Sequence, residues 1–177
     1  WRGDTAEPVV LSSVFELSSF GYFQRGAVKD MVKFFSRTFL QRTPKGKRQS
    51  VEHEEYMVHC YLRGDGLGAV FVSDKEYPPR VAFTLLSQLL EQFNAVHAGK
   101  WEAVAADTQV PFEPLEKAVV EYQDPSSADK ITKIQKDLDD TMEVMHKTID
   151  NVLERGVKLD NLVQKSDDLS AQSKLFY

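Results

Sequence analysis

The chain lacks several features that would place it in a specialised class. It has one cysteine, Cys60, among 177 residues, which excludes an internal disulfide framework and favours a reducing compartment. No run of about 18 apolar residues occurs, so no stretch of this sequence predicts a membrane-spanning helix. The net charge of −5 argues against a nucleic-acid partner, because such proteins usually present a basic face. A hydrophobic content of 42% still allows a real core.

Catalytic and metal-binding patterns are also missing. His53 and His59 in "HEEYMVH" do not have the spacing of a zinc-binding helix. On one strand they would face the same side, but no neighbouring ligands complete a site. Cys60 lies in a strand pattern and is expected to be a buried hydrophobe. No set of nucleophile, base and oxyanion donor is visible, so we predict neither an enzyme nor a bound metal or cofactor.

After Pro125 the composition changes. Gly156 is the only later glycine, no proline follows, and no aromatic residue appears before Phe176. "DPSSADK" marks the boundary, because Pro125 interrupts regular structure and Ser126 or Ser127 can cap a new helix. We therefore predict an N-terminal domain at 1–124, a linker at 125–130 and a helical region at 131–177.

The N-terminal domain mixes strand and helix patterns. Strands are indicated where β-branched and alternating residues cluster, and helices where apolar residues recur at helical spacing. "RTPKGKRQ" breaks the pattern, and its basic run "KGKR" predicts a solvated loop, with weak contact with anionic lipid as the alternative. "RGDGLG" predicts a hairpin turn at Asp65-Gly66. The predicted elements are a strand at 7–15, a helix within 22–40, a hairpin over 54–74, a helix over 82–93 and a short helix at 115–122. This order predicts an α+β fold with helices on a mainly antiparallel sheet.

The region 131–177 carries a heptad seam, with apolar spacing that alternates between three and four. The other positions, Asp167 and Asp168 included, are charged with both signs and indicate a solvated helix surface. The seam positions are Ile131, Ile134, Leu138, Thr141, Met145, Thr148, Val152, Arg155, Leu159, Leu162, Ser166, Leu169, Ser173 and Phe176.

Arg155 is the exceptional position in this seam. Several copies of a buried arginine would repel one another, so the seam favours partners that differ from itself. A polar core residue is also an established means of fixing register and partner choice. The partners should therefore offer neutral or acidic acceptors. We expect the segment to be largely unfolded alone and helical when bound, because small polar residues and a glycine weaken the helix. These residues are Thr141, Thr148, Ser166, Ser173 and Gly156.

These residues resemble an R-SNARE motif, in which four helices place one arginine opposite three glutamines. "KIQKDLDDTMEVMHKTIDNVLERGVKLDNLVQKSDDLSAQSKLFY" is similar to the lipid-anchored R-SNAREs of the YKT type. The front, notably "SSFGYFQRGAV", "DKEYPPRVAFTLL" and "YQDPSSAD", resembles the profilin-like longin domain of that family. The resemblance implies vesicle fusion, with Arg155 in the central layer and the SNARE helix disordered or folded back on the longin domain when unpartnered.

The resemblance carries further expectations. Phe34 corresponds to an apolar groove that receives the folded-back segment, with packing in the longin core as the alternative role. A first longin strand is expected before Trp1, and a prenylation and palmitoylation signal after Tyr177. Implied partners are Q-SNAREs, with Sec1/Munc18-type proteins, tethering complexes and the SNARE disassembly machinery as further candidates. The implied location is the cytoplasm, with cycling to Golgi, ER, endosomal or vacuolar membranes.

Two other classes are weighed against this interpretation. The first is a longin-type trafficking adaptor whose tail is a plain structural coil. Such a coil does not need a central arginine, so the effect of Arg155→Leu on partner choice distinguishes it. The second is a small enzyme with a regulatory coiled tail, which would require a polar catalytic pocket.

Overall fold

A computed structural model describes residues 1–128 and 143–175. The strands of the N-terminal domain are β1 (Lys47–His53), β2 (Tyr56–Leu62) and β3 (Gly68–Asp74). Its helices are α1 (Arg25–Gln41), α2 (Pro79–His97) and α3 (Glu113–Glu121). The remaining elements are β4 (Val144–Thr148), α4 (Ile149–Val152), α5 (Leu159–Lys165) and α6 (Ala171–Leu175).

The sheet has the strand order β3-β2-β1-β4. The first three strands are antiparallel, as the predicted hairpin requires, and Ser50 of β1 pairs with His59 of β2. At the β2–β3 turn, Asp65 accepts the Leu67 N–H at 3.1 Å. Gly66 adopts a φ of 95°, which glycine tolerates best. The fourth strand is added in parallel to β1, so the sheet is mixed.

The two long helices pack on opposite faces of this sheet. One core cluster joins α2 to Phe71 and Tyr61, and the other joins α1 to Val70 and Val58. Phe71 and Val70 are neighbours on β3, and successive side chains of a strand point to opposite faces. The predicted helices at 22–40, 82–93 and 115–122 are thus confirmed in type and place.

One strand prediction and one loop prediction were wrong. Residues 7–15 contain only an isolated bridge between Val9 and Arg2, although the composition favoured a strand. Their backbone bonds to the loop that precedes α3: Val10 donates to Asp107 Oδ1 at 3.0 Å, and Val10 O accepts from Thr108 N at 2.8 Å. Conversely, the predicted loop at "KGKRQ" contains the start of β1.

A cleft of about 970 Å³ borders the outer edge of β3. Its other wall is the 10–15 segment, and both long helices contribute residues. At one end of the cleft, Trp1 and Gly68 exchange backbone hydrogen bonds of 2.9 Å.

The predicted boundary near Pro125 coincides with a helix start, but the capping residue differs. Residues 125–128 are helical, and Asp124 accepts the N–H of Ser126 and the hydroxyl of Ser127, both at 3.0 Å. Asp124, rather than either serine, therefore caps this helix. Within residues 1–128 and 143–175, no helix is long and apolar enough to cross a membrane.

Candidate functional site

The C-terminal segment, residues 143–175, is folded back on the N-terminal domain. It is not one helix: β4, α4, α5 and α6 follow one another with short breaks. The fold-back prediction is confirmed for these residues, and the expectation that they would be largely unfolded alone is not. The seam positions Ile131, Ile134, Leu138, Thr141 and Phe176 lie outside the described residues.

Backbone pairing attaches the start of the segment. Five residues of β4 pair with β1, from Arg48↔Val144 to Glu52↔Thr148. Thr148 then ends the strand and caps α4, with its side chain and that of Asn151 forming a capping box. The cap explains why the chain leaves the sheet there, since it satisfies N–H groups that the first helical turn leaves free.

Apolar side chains attach the rest of the segment. Val152, Val163 and Leu169 are buried in the same cluster as Phe34. Only 1% of the surface of Val163 is exposed to solvent. Phe34 itself is buried and lies 5.3 Å, centroid to centroid, from Phe35. The side chain that the resemblance places in a groove therefore lies in the cluster that receives the segment.

The folded-back segment does not keep the heptad register. Among the described seam positions, Val152, Leu169 and Ser173 are buried, whereas Thr148 and Arg155 are exposed. Met145, Leu159, Leu162 and Ser166 are half-buried. In contrast, Leu153 and Val163 are buried although they lie off the seam. The N-terminal domain thus covers a surface that overlaps the seam without matching it.

An ion-pair cluster, formed by Lys33, Arg37, Asp107 and Asp168, joins α1 to the segment. Arg37 donates from Nε to Asp168 Oδ2 and from Nη2 to Asp168 Oδ1, both at 2.9 Å. It also donates from Nη2 to Asp107 Oδ2 at 2.6 Å. Lys33 Nζ lies 3.2 Å from Asp107 Oδ2 and 3.7 Å from Asp168 Oδ1.

This geometry corrects the prediction for Asp168, whose side chain is only 11% exposed. The pKa values of the cluster reflect it. Burial alone would raise the pKa of Asp107, but hydrogen bonds from Arg37, the Val10 N–H and Lys33 outweigh it and hold that pKa well below its usual range. Burial alone would lower the pKa of Arg37, but the two carboxylates outweigh it and raise that pKa.

Two further polar contacts flank the cluster. Near the C-terminal end of α1, Arg42 pairs with Glu154, with Nε 2.9 Å from Oε1, and this contact lowers the pKa of Glu154. Near the other end, Ser173 donates to Asp30 Oδ2 at 2.9 Å. Together these contacts place the segment along much of the length of α1.

Arg155 takes no part in the buried contacts. It is exposed, next to the Glu154 that pairs with Arg42. In the folded-back state Arg155 is therefore not buried in a layer.

The residues of α1 that hold the segment were not predicted from the sequence. Lys33 and Arg37 are four residues apart, so they share one helix face, and Phe34 lies three residues before Arg37. A basic and apolar stripe beside the core face was therefore visible in the sequence. It did not identify Asp107 or Asp168 as partners, because these positions are 70 and 131 residues away from Arg37.

The two histidines and the cysteine considered for metal binding or catalysis lie within the β-sheet. His53 and His59 lie on different strands, β1 and β2, so the shared-strand picture was wrong. His59 is buried, with Nδ1 2.7 Å from Ser50 Oγ and Nε2 3.1 Å from Ser73 Oγ. Cys60 is a buried free cysteine, as predicted, and burial raises the pKa of its thiol to about 12. Over the described ranges, no group of three or more metal-ligating side chains was found.

Comparisons with known proteins agree with this two-part architecture. The longin family model, described as a regulated-SNARE-like domain, matches residues 17–119, and the synaptobrevin model matches residues 130–177. The chain is 49% identical over 174 residues to the VAMP-like protein YKT61 of Arabidopsis thaliana, covering 98% of this chain and 87% of the relative.

Fungal relatives are similarly close. The synaptobrevin homolog ykt6 of Schizosaccharomyces pombe is 46% identical over 177 residues, covering 99% of this chain and 89% of the relative. The homolog YKT6 of Saccharomyces cerevisiae is 44% identical over 179 residues, covering 100% and 90%. The chain belongs to the YKT6 family of longin-type R-SNAREs.

Membership of the YKT6 family gives the site its interpretation. The N-terminal domain is a longin domain, and the C-terminal segment belongs to a synaptobrevin-type SNARE region. SNARE proteins act in vesicle trafficking and are not enzymes. What the structure adds is the surface by which the SNARE region lies against its own longin domain.

Proposed function

We propose that this R-SNARE drives membrane fusion by zipping its seam with three Q-SNARE helices. Arg155 would form the central layer, where glutamine amide oxygens supply the acceptors that a buried guanidinium needs. The proposed core layers are the seam positions given above. Successive burial of these layers releases free energy that draws two bilayers together.

We propose further that the fold-back controls this assembly. The carrying observation is that Val152, Leu169 and Ser173, three seam positions, are buried against the longin domain. A side chain cannot be buried there and in a four-helix core at once, so the two states compete. β4 adds to the competition, because its strand conformation has to be lost before residues 144–148 can become helical.

The fold-back leaves Arg155 accessible. Its exposure means that opening need not first remove a guanidinium from a buried site. Glu154 would exchange its contact with Arg42 for solvent, at little cost because its side chain is 57% exposed. We therefore expect opening to be limited by the apolar cluster around Phe34 and by Arg37, rather than by residues 154–155.

The test of the fusion proposal is assembly with Q-SNARE helices. The 177-residue chain is mixed with a cognate set, and helix content is followed by circular dichroism with wild type, Arg155→Leu and Lys158→Leu. We expect a gain in helix with the wild type. Arg155→Leu should retain assembly while losing preference for glutamine-bearing partners, and Lys158→Leu, a matched change on an exposed position, should behave as wild type.

Two results would contradict the proposal. No gain in helix with any Q-SNARE set would remove the SNARE mechanism for this chain. Partner choice that is unchanged by Arg155→Leu would favour the adaptor alternative, in which the tail is a plain coil.

We propose the remaining partners and locations on the family resemblance. They are Sec1/Munc18-type proteins, tethering complexes, the disassembly machinery and a lipid anchor at the C-terminal side, with cycling between the cytoplasm and Golgi, ER, endosomal or vacuolar membranes. Fractionation of tagged full-length protein, with co-purification of its partners, tests these assignments.

A further inference from the structure

Two adjacent aromatic side chains project from the surface just before α1. Phe23 is 96% exposed and Tyr22 is 77% exposed. Their rings form a T-shaped pair with centroids 5.4 Å apart. We call this pair the aromatic tip. An exposed ring of this size forgoes the free energy of burial, and adjacent exposed aromatics on a protein surface commonly mark a contact site.

The aromatic tip is supported by regular structure. Residues Tyr22–Gln24 form a 3-10 helix that runs directly into α1, and Gln24 N donates to Gly21 O at 2.9 Å. Arg25 Nε donates to Phe20 O at 3.2 Å. The two rings are thus presented at the end of a long helix, and a convex tip of this kind cannot enclose a small molecule as a pocket would.

Cations accompany the aromatic rings. The Arg25 guanidinium carbon lies 6.0 Å from the centroid of the Tyr22 ring, and Lys29 Nζ lies 5.5 Å from the centroid of the Phe15 ring. Aromatic rings flanked by arginine and lysine suit the membrane interface, where rings enter the acyl boundary and cations meet lipid phosphates. Ser19 and Gly21, beside the tip, are small and exposed, so they do not sterically block its insertion into a lipid bilayer.

A second exposed apolar residue lies toward the same end of α1. The hydrogen bond from Ser173 to Asp30 places α6 against the N-terminal half of α1. Leu175, two residues further on, is 86% exposed. Leu175 therefore adds exposed apolar surface on the element that packs against the N-terminal half of α1.

We propose that the aromatic tip is a peripheral membrane contact of the folded-back protein. Phe23 enters the acyl boundary, while the Tyr22 hydroxyl, Arg25 and Lys29 remain among the headgroups of an anionic phospholipid surface. The contact would orient the closed protein on a bilayer before any SNARE partner is engaged. It extends the proposed function, and its test requires no Q-SNARE, so the two proposals can fail separately.

The test measures binding of the 177-residue chain to vesicles of phosphatidylcholine with about a third phosphatidylserine. Phe23→Ser and Tyr22→Ser remove one ring each. Val120→Ser, an exposed apolar change on α3, is the matched control, and circular dichroism verifies that each variant is folded. We expect Phe23→Ser to weaken the vesicle partition coefficient about 10-fold, because it removes a large apolar ring from the contact, and Val120→Ser to leave it unchanged.

A depth measurement gives an independent readout. The Phe23→Trp variant should show blue-shifted emission on vesicles and quenching by brominated acyl chains. The proposal is overturned if the wild type does not bind these vesicles, or if Phe23→Ser binds as tightly as wild type. It is also overturned if binding depends on Lys45 and Lys47, in the basic run at the start of β1, and not on the aromatic tip. A third contrary result would be that vesicles leave the emission of the Phe23→Trp variant unchanged while a protein partner shields the tip from solvent.

Discussion

Replacing Asp168 by alanine should open the C-terminal segment without unfolding the longin domain. Asp168 lies in the segment and accepts two hydrogen bonds of 2.9 Å from Arg37 on α1. After the substitution, Arg37 still donates to Asp107 and to the carbonyl of Pro8. The guanidinium therefore retains acceptors, and the loss falls on the contact between segment and domain.

The size of the effect follows from this geometry. Hydrogen bonds between charged groups contribute about 1.5–3 kcal/mol each, less where water competes. Because Asp168 is only 11% exposed, we expect a loss of about 2 kcal/mol from the folded-back state. This corresponds to a shift of roughly 30-fold toward the open state. Arg37→Ala should cost more, since it leaves two carboxylates without their arginine.

Hydrogen exchange measures this opening residue by residue. We expect amides of β4 and α5 to exchange roughly 30-fold faster in Asp168→Ala, while amides of β2 are unchanged. Asp167→Ala is the matched control, because it removes the same charge from an exposed neighbour. Equal exchange in the two variants would refute the assignment of Asp168 as the contact that holds the segment.

Three further predictions address the segment and the core. Val163→Ser should open the fold-back by about 2 kcal/mol, since Val163 is fully buried there but off the seam, and should speed Q-SNARE assembly. Leu162→Ser, on the seam and only half-buried in the fold-back, should open the fold-back less and should weaken the assembled bundle more in thermal melts. Equal effects of the two variants would refute the proposal that the fold-back and the bundle bury different surfaces. Burial, aided by nearby His146, lowers the pKa of His59 to about 4. The unfolded chain then binds a proton that the folded chain does not, so stability should fall from about pH 6.5 toward about pH 4, by at most about 3 kcal/mol. In urea titrations, this dependence of the free energy of unfolding on pH should be reduced in His59→Gln and retained in His146→Gln. An unchanged dependence in His59→Gln would contradict its assignment to His59. Gly66→Ala should destabilise the hairpin by more than about 1 kcal/mol in the same titrations, because φ is positive and a Cβ would lie 2.5 Å from Asp4 Cβ.

Sequence patterns predicted the elements whose signals are local. The α2 helix has a broad apolar face, and the hairpin has a turn that requires Gly66, so both could be placed from the sequence. The strand at β1 was missed because its polar residues are satisfied by distant partners: the Arg48 guanidinium carbon lies 4.0 Å from the centroid of the Tyr61 ring. The prediction for residues 7–15 failed in the opposite sense: a strand was predicted, but the backbone there bonds to the loop at 107–110 and not to the sheet.

The seam at 131–177 illustrates the same division. Its spacing and Arg155 predict a heterotypic coiled-coil region, since a charged core residue disfavours self-association whatever the rest of the fold does. The spacing could not predict a strand at Val144–Thr148, because strand formation there depends on the exposed edge of β1. Nor could it show that Asp168 is paired, since its arginine lies 131 residues away.

Sequence alone therefore predicted the two-part organisation, a central arginine at Arg155 and partners that offer acceptors. These follow from periodicity and charge, which act between near neighbours or through the chemistry of a single side chain. Only the tertiary structure decided how the C-terminal segment lies when it is unpartnered. That choice depends on contacts between residues far apart in the chain, where the β1 edge, the Phe34 cluster and Arg37 together outweigh the local preference for one continuous helix.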